Sequence, residues 1–314
     1  MPFFVVEADE YDTAFFDKRA KFLHYLPHIA VVTSIEFDHG DIYASLDEIH
    51  LAFQRLLRQI PQSGRLIACA DNAALALKEH AYCQIETYGF AEHADWRGES
   101  GDARGGCQRM AVFHGGQPWA ELECTMTGQH NLHNTLAAVA VAARLGASPD
   151  AVAEAVRSFK GVRRRMEVFL EAQDITFVDD FAHHPTAVRE TIAAARIRWP
   201  GRRLRVVFEP RSNTTVTNEF QEELSNAFRA ADEVLLGPIY RAERIPDAKR
   251  LDRHALIQAL HQHGVRGMYS DEVAAIAQHL VTAARHHDVV LILSNGAFGG
   301  LYAILRDAYR EDRE

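Results

Sequence analysis

The sequence predicts an α/β protein of two domains, the second a smaller, doubly wound domain of Rossmann type. Apolar strand-like runs alternate with amphipathic helix-like runs, and polar side chains follow several of the strands. This alternation restarts after the basic cluster Arg163-Arg164-Arg165. Alternating strands and helices are typical of parallel sheets covered by helices. A length of 314 residues fits two domains, which we place at 1–162 and 163–314.

The first domain is predicted from apolar periodicity and from helix stop signals. Apolar residues recur at helical spacing from Leu46 to Ile60, and an Ala-rich helix is stopped by Gly146. Residues 91–118, rich in Gly and charge, favour loops and short antiparallel strands. The predicted strands are Phe3 to Val6, Ala30 to Ile35 and 64–71, and the predicted helices are Leu46 to Ile60, His130 to Leu145 and 149–159.

The second domain is predicted from four repeats of a strand followed by a helix. Its strands are expected at 175–179, 204–208, 233–237 and 288–294, and its helices at 185–198, 217–230, 252–263 and 271–286.

Composition excludes several classes of function. A net charge of −9 argues against nucleic acid or an anionic membrane as the main partner, although a small anionic ligand fits a local basic cluster. Four scattered cysteines form no C-x-x-C pair, which indicates buried thiols in a reducing compartment. No run approaches the roughly 20 apolar residues that span a bilayer. We therefore expect a cytoplasmic protein.

The segment 178–186 (Val-Asp-Asp-Phe-Ala-His-His-Pro-Thr) follows a strand and opens a helix. Two carboxylates and two imidazoles at such a turn can meet phosphate, ribose or a metal ion, at a place where backbone N–H groups already point outward. A purely structural reading is that Asp180 caps the helix and His183 stacks on its first turn. A stand-alone metal hydrolase with Asp179, Asp180, His183 and His184 as ligands is disfavoured, because adjacent residues at a helix start diverge by about 100°.

Three other segments place polar side chains at strand or helix ends. Two acidic loops, 6–12 and 34–41, follow strands and could converge on Mg²⁺, or could be ordinary solvated loops. A third segment, 127–134, opens the Ala-rich helix with Asn131 and Asn134 at i and i+3. Amides on one helix face can read a purine edge, whereas a single Asn would more often be a cap.

Five of these motifs occur in the order and spacing found in the Mur ligases, the ATP-dependent amide-forming enzymes of peptidoglycan synthesis. The resemblance covers essentially the whole chain and implies part of a central P-loop-type ATPase domain followed by the smaller last domain. The motifs are Glu7-Ala8-Asp9-Glu10, Asp38-His39, Gly128-x-His130-Asn131-x-x-Asn134, Arg164-Arg165 and Asp179-Asp180-x-x-His183-His184-Pro185-Thr186.

The resemblance implies ATP and Mg²⁺ as cofactors and assigns a role to each matching residue. Glu7 and His39 match Mg²⁺ ligands, and Asn131 and Asn134 match adenine-reading positions. Arg165 matches a phosphate-contacting arginine, Asp180 a nucleotide-contacting carboxylate, and His183 lies beside it. His184 is expected to be structural.

Two loops decide between members of the family. They resemble the member that joins UDP-N-acetylmuramate to the murein tripeptide L-alanyl-γ-D-glutamyl-meso-diaminopimelate, rather than the L-alanine-adding member. A non-catalytic nucleotide-binding module remains the alternative of a different class. The residues expected to bind the tripeptide are Arg211, Ser212, Asn213, Ser294 and Asn295.

One departure from the family concerns the phosphate-binding loop. The family's Gly-rich turn ending in Gly-Lys-Thr has no counterpart, because no Gly-Lys pair occurs in the 314 residues. We therefore expect that the N-terminal part of the enzyme, with the UDP-binding domain, is missing from this chain and that the chain alone is inactive. The predicted helix Leu46 to Ile60 also lacks a lysine, so a carbamylated lysine is not expected there.

Overall fold

A computed structural model describes residues 3–37 and 42–309 of the chain. The chain folds into two compact units, each described separately below. The first unit comprises Met1–Asp102, Gln108–Cys124 and His130–Phe159, and the second comprises Ala103–Cys107, Thr125–Gln129 and Lys160–Glu314.

The first unit contains a small hairpin and a six-stranded sheet. The hairpin pairs β1 (Asp12–Ala14) with β2 (Asp17–Ala20). The sheet has sequential strand order and consists of β3 (Ile29–Val32), β4 (Arg65–Cys69), β5 (Gln84–Gly89), β6 (Trp96–Arg104), β7 (Cys107–His114) and β8 (Gln117–Cys124). Its helices are α1 (Leu46–Leu57), α2 (Gln129–Arg144) and α3 (Pro149–Ser158), with short 3₁₀ helices at Lys21–His24 and Ala73–His80.

Parallel pairing in the first sheet brings strand ends together at one edge. Strands β3 to β6 run parallel to their neighbours, whereas β7 and β8 form an antiparallel pair. The helix α1 buries Ile49, Ala52 and Leu56 on one face, which follows from their helical spacing. Because ligand sites in parallel sheets lie at the carboxyl ends of strands, the residues after β3 and β4 occupy the functional edge.

The second unit contains a six-stranded, mostly parallel sheet. Its strands are β9 (Glu167–Ala172), β10 (Ile175–Asp180), β11 (Arg203–Phe208), β12 (Glu233–Leu236), β13 (Arg266–Tyr269) and β14 (Asp288–Leu293). Its helices are α4 (Pro185–Arg198), α5 (Gln221–Ala227), α6 (Arg253–Gln262), α7 (Val273–Thr282) and α8 (Leu301–Ala308).

The strand order of this sheet is β13-β12-β11-β14-β10-β9, and β9 is antiparallel to β10. One core packs residues of α4, α5 and α6 against one face, and the other core packs α7 and α8 against the opposite face. From β10 the chain adds β11, β12 and β13 on one side of the sheet, and then crosses back so that β14 lies between β10 and β11. Ligands of doubly wound sheets bind at such a switch point, beyond the carboxyl ends of the strands.

The predicted α/β class with a doubly wound second sheet is confirmed. Within the described part of the chain, no helix is long and apolar enough to cross a membrane.

The predicted strand at Phe3 to Val6 is wrong. These residues lie outside any strand, and their exposed fractions are 63, 91, 86 and 45%. An apolar run forms a strand only where a neighbouring strand supplies hydrogen bonds, and β3, the edge strand, does not pair with it.

Several element boundaries also differ from prediction. The predicted helix 217–230 is shortened to α5, because Thr217 bridges Arg250 and the backbone N–H of Asn218 donates to Lys249. The predicted helix 271–286 is shortened to α7, because the Arg285 N–H donates to Asp288 in the turn that leads into β14. Residues 91–118 form longer strands than predicted, and the elements β1, β2, β5, β9, β13 and α8 were not predicted at all.

Candidate functional site

The candidate site of the second unit lies at the carboxyl ends of β10, β11 and β14. These three central strands end at Asp180, Phe208 and Leu293. The polar residues that follow them, including Glu209 and Ser294, are therefore brought to one edge although they are far apart in sequence. The Ser294 hydroxyl donates to the Glu209 carboxylate, and the Gly296 N–H donates to Ser294 Oγ at 2.9 Å.

Arg164 is the hydrogen-bonding centre of this edge. Its guanidinium donates to Asp179 Oδ2 at 3.2 Å and to the carbonyl oxygens of Ser294 and Gly296 at 2.5 and 3.0 Å. Its backbone is in the left-handed region, with φ 58°. Sequence reasoning emphasised Arg165 and missed this role, since three successive arginines look alike in sequence.

Arg165 is exposed, and its guanidinium lies 5.5 Å from the centre of the Phe181 ring. Burial raises the pKa of Asp180, and the positive charge of Arg165 partly opposes that rise. Arg165 therefore lies near enough to Asp180 for its charge to act on that carboxyl group. An exposed guanidinium remains able to pair with a phosphate.

Asp180 is 3% exposed, and backbone groups surround its carboxylate. It accepts from the N–H groups of Met166 and Ala182, both at 2.8 Å. Burial raises its pKa despite these hydrogen bonds. In this arrangement Asp180 ties the strand end to the segment that carries Arg165.

The two histidines have separate surroundings. His183 Nδ1 lies 2.9 Å from the Phe181 carbonyl oxygen, and His184 Nδ1 accepts from Thr186 N–H at the start of α4. Asp179 accepts from the Tyr302 hydroxyl at 2.7 Å, and burial, then this bond, raises the pKa of Tyr302. The four residues of the metal-hydrolase alternative thus face different partners and form no metal-binding group among the described residues.

The predicted substrate residues lie on the loops after β11 and β14. The Arg211 guanidinium stacks 3.8 Å from the centre of the Tyr240 ring and donates to Glu209 at 3.4 Å. The Ser212 carbonyl oxygen accepts from Thr215 and Val216, so Ser212 opens a tight turn with Asn213 exposed. The Asn295 amide oxygen is buried with no hydrogen-bond partner in the described ranges.

The candidate adenine residues lie at the start of α2 in the first unit. Asn131 is 7% exposed, and its carbonyl oxygen accepts from the Thr135 hydroxyl at 2.9 Å. Asn134, one turn later, is exposed. The pair offers one buried and one open amide on neighbouring positions of the helix surface.

The predicted Mg²⁺ ligands are only partly described. Glu7 is exposed, and its carboxylate supplies the hard oxygen that Mg²⁺ prefers. The predicted ligand His39 lies outside the described residues.

Comparison with known proteins agrees with these observations. The Mur ligase middle domain matches residues 1–142, and the glutamate ligase domain of Mur ligases matches residues 164–296. The chain belongs to the Mur ligase family.

Named relatives within the family differ in substrate. The UDP-N-acetylmuramate–L-alanyl-gamma-D-glutamyl-meso-2,6-diaminoheptandioate ligase of Escherichia coli (strain K12) is 37% identical over 99% of this chain and 66% of the relative. The UDP-N-acetylmuramate–L-alanine ligase of Desulfitobacterium hafniense (strain Y51) is 31% identical over 94% of this chain and 64% of the relative. The chain therefore spans about two thirds of the length of the curated relatives it matches.

A solved murein peptide ligase from Psychrobacter arcticus 273-4 has a similar structure. It is 32% identical to this chain, with a TM-score of 0.65 over 96% of this chain and 62% of the solved chain.

Proposed function

We propose that this chain is part of an ATP-dependent ligase that joins UDP-N-acetylmuramate to L-alanyl-γ-D-glutamyl-meso-diaminopimelate. The observation that carries the proposal is the 37% identity, over nearly the whole chain, to the Escherichia coli ligase named for that tripeptide. The similarity to a solved murein peptide ligase agrees with it.

The proposed reaction has two steps. The muramyl carboxylate attacks the γ-phosphate of ATP and forms an acyl phosphate with release of ADP. The alanyl amine of the tripeptide then attacks the acyl carbon, and phosphate leaves. Phosphoryl transfer of this kind depends on positioning and charge neutralisation.

The residues of the first unit would hold the nucleotide. Asn131 and Asn134 would hydrogen-bond the adenine edge, and Glu7 and His39 would be ligands of Mg²⁺, which supplies charge neutralisation at the phosphates. The exposed amide of Asn134 and the exposed carboxylate of Glu7 are compatible with these roles.

The residues of the second unit would act on the phosphates and the acceptor. Arg165 is exposed, and its charge acts on Asp180; it would contact phosphate. Asp180 accepts a hydrogen bond from the Met166 N–H and would thereby position the segment 164–166. His183 would lie beside the nucleotide. Arg211 would pair with a tripeptide carboxylate, flanked by Ser212, Asn213, Ser294 and Asn295.

A second candidate function is the addition of free L-alanine. The Desulfitobacterium hafniense relative, 31% identical, is named for that acceptor. L-Alanine has a single carboxylate, whereas the tripeptide offers several to Arg211 and the neighbouring loops. The third candidate, nucleotide binding without turnover, predicts ATP binding and no ligation of either acceptor.

A competition assay tests the proposal. The chain is fused to the part of the Escherichia coli relative that it does not span, and equal amounts of tripeptide and L-alanine are supplied with ATP and UDP-N-acetylmuramate. We expect consumption of the tripeptide to dominate. Preferential consumption of L-alanine would assign the chain to the second candidate function.

A substitution at Arg211 tests the acceptor site within the same fusion. Arg211→Ala should raise the tripeptide KM at least about tenfold, since a charge-assisted pair contributes about 1.5–3 kcal/mol, and should leave the KM for ATP unchanged. Arg253→Ala is the matched control, because Arg253 also stacks on a tyrosine, Tyr269, in the same unit. Equal effects of the two substitutions would contradict the assignment of Arg211.

A further inference from the structure

A cluster of three potential metal ligands lies at the carboxyl end of β4 in the first unit. Cys69 is the last residue of β4, Asp71 follows it, and His133 is in the first turns of α2. One ligand atom from each residue lies within 4.8 Å of the others. None of these residues belongs to the ligase site proposed above.

The loop after β5 and the ring of Phe90 hold Asp71 and His133 in position. Asp71 accepts from the N–H groups of Phe90 and Ala91 at 2.6 and 2.9 Å, and its Oδ2 lies 2.6 Å from His133 Nε2. The His133 ring packs edge-on against Phe90 with ring centres 4.8 Å apart. A Cβ at Gly89 would lie 2.6 Å from Asp71 Oδ2, so only glycine leaves room for the carboxylate.

The third side chain, Cys69, is a free thiol that is 1% exposed. Its strand neighbour Tyr88 is fully buried, and the Tyr88 hydroxyl lies beside the Cys69 thiol without a well-formed hydrogen bond to any of the described residues. A neutral thiol is a weak acceptor for a buried hydroxyl, whereas a thiolate is a strong one.

We propose that Cys69, Asp71 and His133 bind one Zn²⁺ ion, with a fourth position open to solvent. A thiolate, an imidazole and a carboxylate form a donor set that suits Zn²⁺ and not Mg²⁺. Binding would release the Cys69 thiol proton to solvent and create a thiolate acceptor beside the Tyr88 hydroxyl. The Tyr88 hydroxyl would then have a strong acceptor, and the exposed position of Asp71 would keep the fourth coordination position open to water.

The test uses the untagged 314-residue chain and Co²⁺ as a spectroscopic substitute for Zn²⁺. A thiolate bound to Co²⁺ gives a charge-transfer band that the 17 histidines of the chain cannot produce. We expect the band to saturate at one Co²⁺ per chain and to be displaced by one Zn²⁺. Absence of the band in the wild-type chain would overturn the proposal and leave Asp71 and His133 as a simple ion pair.

Variants identify the ligands. Outer groups that support metal ligands contribute about 10–100-fold in affinity, so loss of a ligand in Cys69→Ala or His133→Gln should weaken Zn²⁺ binding more than about 100-fold. His133→Gln, at a partly exposed position, keeps the test informative if Cys69→Ala does not fold. The matched control is Cys124→Ala, a cysteine that is also 1% exposed, which should bind as the wild type does. Retention of the band in Cys69→Ala, or its loss in a folded Cys124→Ala chain, would contradict the site.

Tyr88→Phe separates the metal site from a purely structural role. Removing this weakly bonded hydroxyl should leave the metal-free chain as stable as the wild type or more stable. The same change should weaken Zn²⁺ binding about tenfold, because the thiolate loses its hydrogen bond. Unchanged Zn²⁺ affinity would show that the hydroxyl does not face a bound thiolate.

Discussion

Arg164 and Arg165 are neighbours in sequence with different surroundings. The Arg164 side chain, 28% exposed, donates to Asp179 and to two carbonyl oxygens of the loop after β14. Arg165 is exposed and contacts the Phe181 ring. We therefore expect stability to depend on Arg164, which links the end of β10 to the loop after β14, and ligand binding to depend on Arg165.

Alanine substitutions should show this separation. We expect Arg164→Ala to lower the free energy of unfolding of the chain by about 2–3 kcal/mol, because buried acceptors lose charged donors. Arg165→Ala should change it by less than about 0.5 kcal/mol, as exposed substitutions do, yet lower turnover of the reconstituted ligase. Urea unfolding measures the free energy of unfolding of both variants, and equal values for Arg164→Ala and Arg165→Ala would contradict the placement of Arg164.

Gly296 provides the space that Arg211 occupies. A Cβ at Gly296 would lie 2.3 Å from Arg211 Nε, so Gly296→Ala must displace the guanidinium from Tyr240. Overpacking costs about 1–3 kcal/mol in the free energy of unfolding, and because the Arg211 side chain is flexible we expect a cost at the lower end, about 1 kcal/mol. In an Arg211→Ala background the methyl group meets no guanidinium, and the cost should fall below about 0.5 kcal/mol. Additive costs in this double-mutant cycle would rule out the contact.

At the scale of elements, an ion cluster joins the beginnings of β11, β12 and β14. Arg205, fully buried, donates to Glu233 at 2.6 Å and lies 3.6 Å from Asp288. Glu233 also bonds Arg203 and His279. Removing one member of a buried pair leaves the other charge uncompensated, which costs about 3–5 kcal/mol.

The cluster makes acid stability depend on Glu233. Burial raises the pKa of Glu233, but His279 and the two arginines lower it by more, so that the pKa lies below the ordinary value of 4.5. The stabilisation by ionised Glu233 is therefore complete above the pKa of Glu233 in the unfolded chain, about 4.5. It is lost as the pH falls through the lower pKa that Glu233 has in the folded chain. We expect Glu233→Gln to destabilise the chain by about 3 kcal/mol at pH 7 and to flatten the stability profile below pH 5. Parallel profiles for the wild type and the variant would contradict this coupling.

Elements with strong local patterns could be predicted from sequence, and those that depend on distant partners could not. Strands such as β10 and β14, apolar on both faces, were recognised. The edge strand β13 was not, because its four residues include Gly267 and an exposed Arg266. Conversely, Phe3 to Val6 has the composition of a buried strand but lacks the pairing that would make it one.

The same limit applies to the candidate site. Motif residues such as Asp180 and His183 were found because they lie close together along the chain. The partners that fix them were not, since Tyr302 lies 123 residues from Asp179 and no local pattern links them. Cys69, Asp71 and His133 were also missed as a group, because only the packing of α2 near the end of β4 brings them together.

At the scale of the whole molecule, the 314 residues contain most of the motifs that the Mur ligase family implies and do not contain its phosphate-binding loop. The chain holds the motifs expected to bind adenine, Mg²⁺ and the acceptor, but no Gly-Lys pair occurs in it. In phosphate-binding loops that lysine and its flanking N–H groups hold the β- and γ-phosphates. We therefore expect no ATP-dependent ligation by the 314-residue chain alone, and ligation by its fusion to the remaining third of the Escherichia coli relative. Alanine substitution of the phosphate-loop lysine in the fusion is the control and should abolish turnover. Ligation by the unfused chain would show that its own residues suffice for phosphate binding and would contradict the expectation that it needs a phosphate-binding loop from outside these 314 residues.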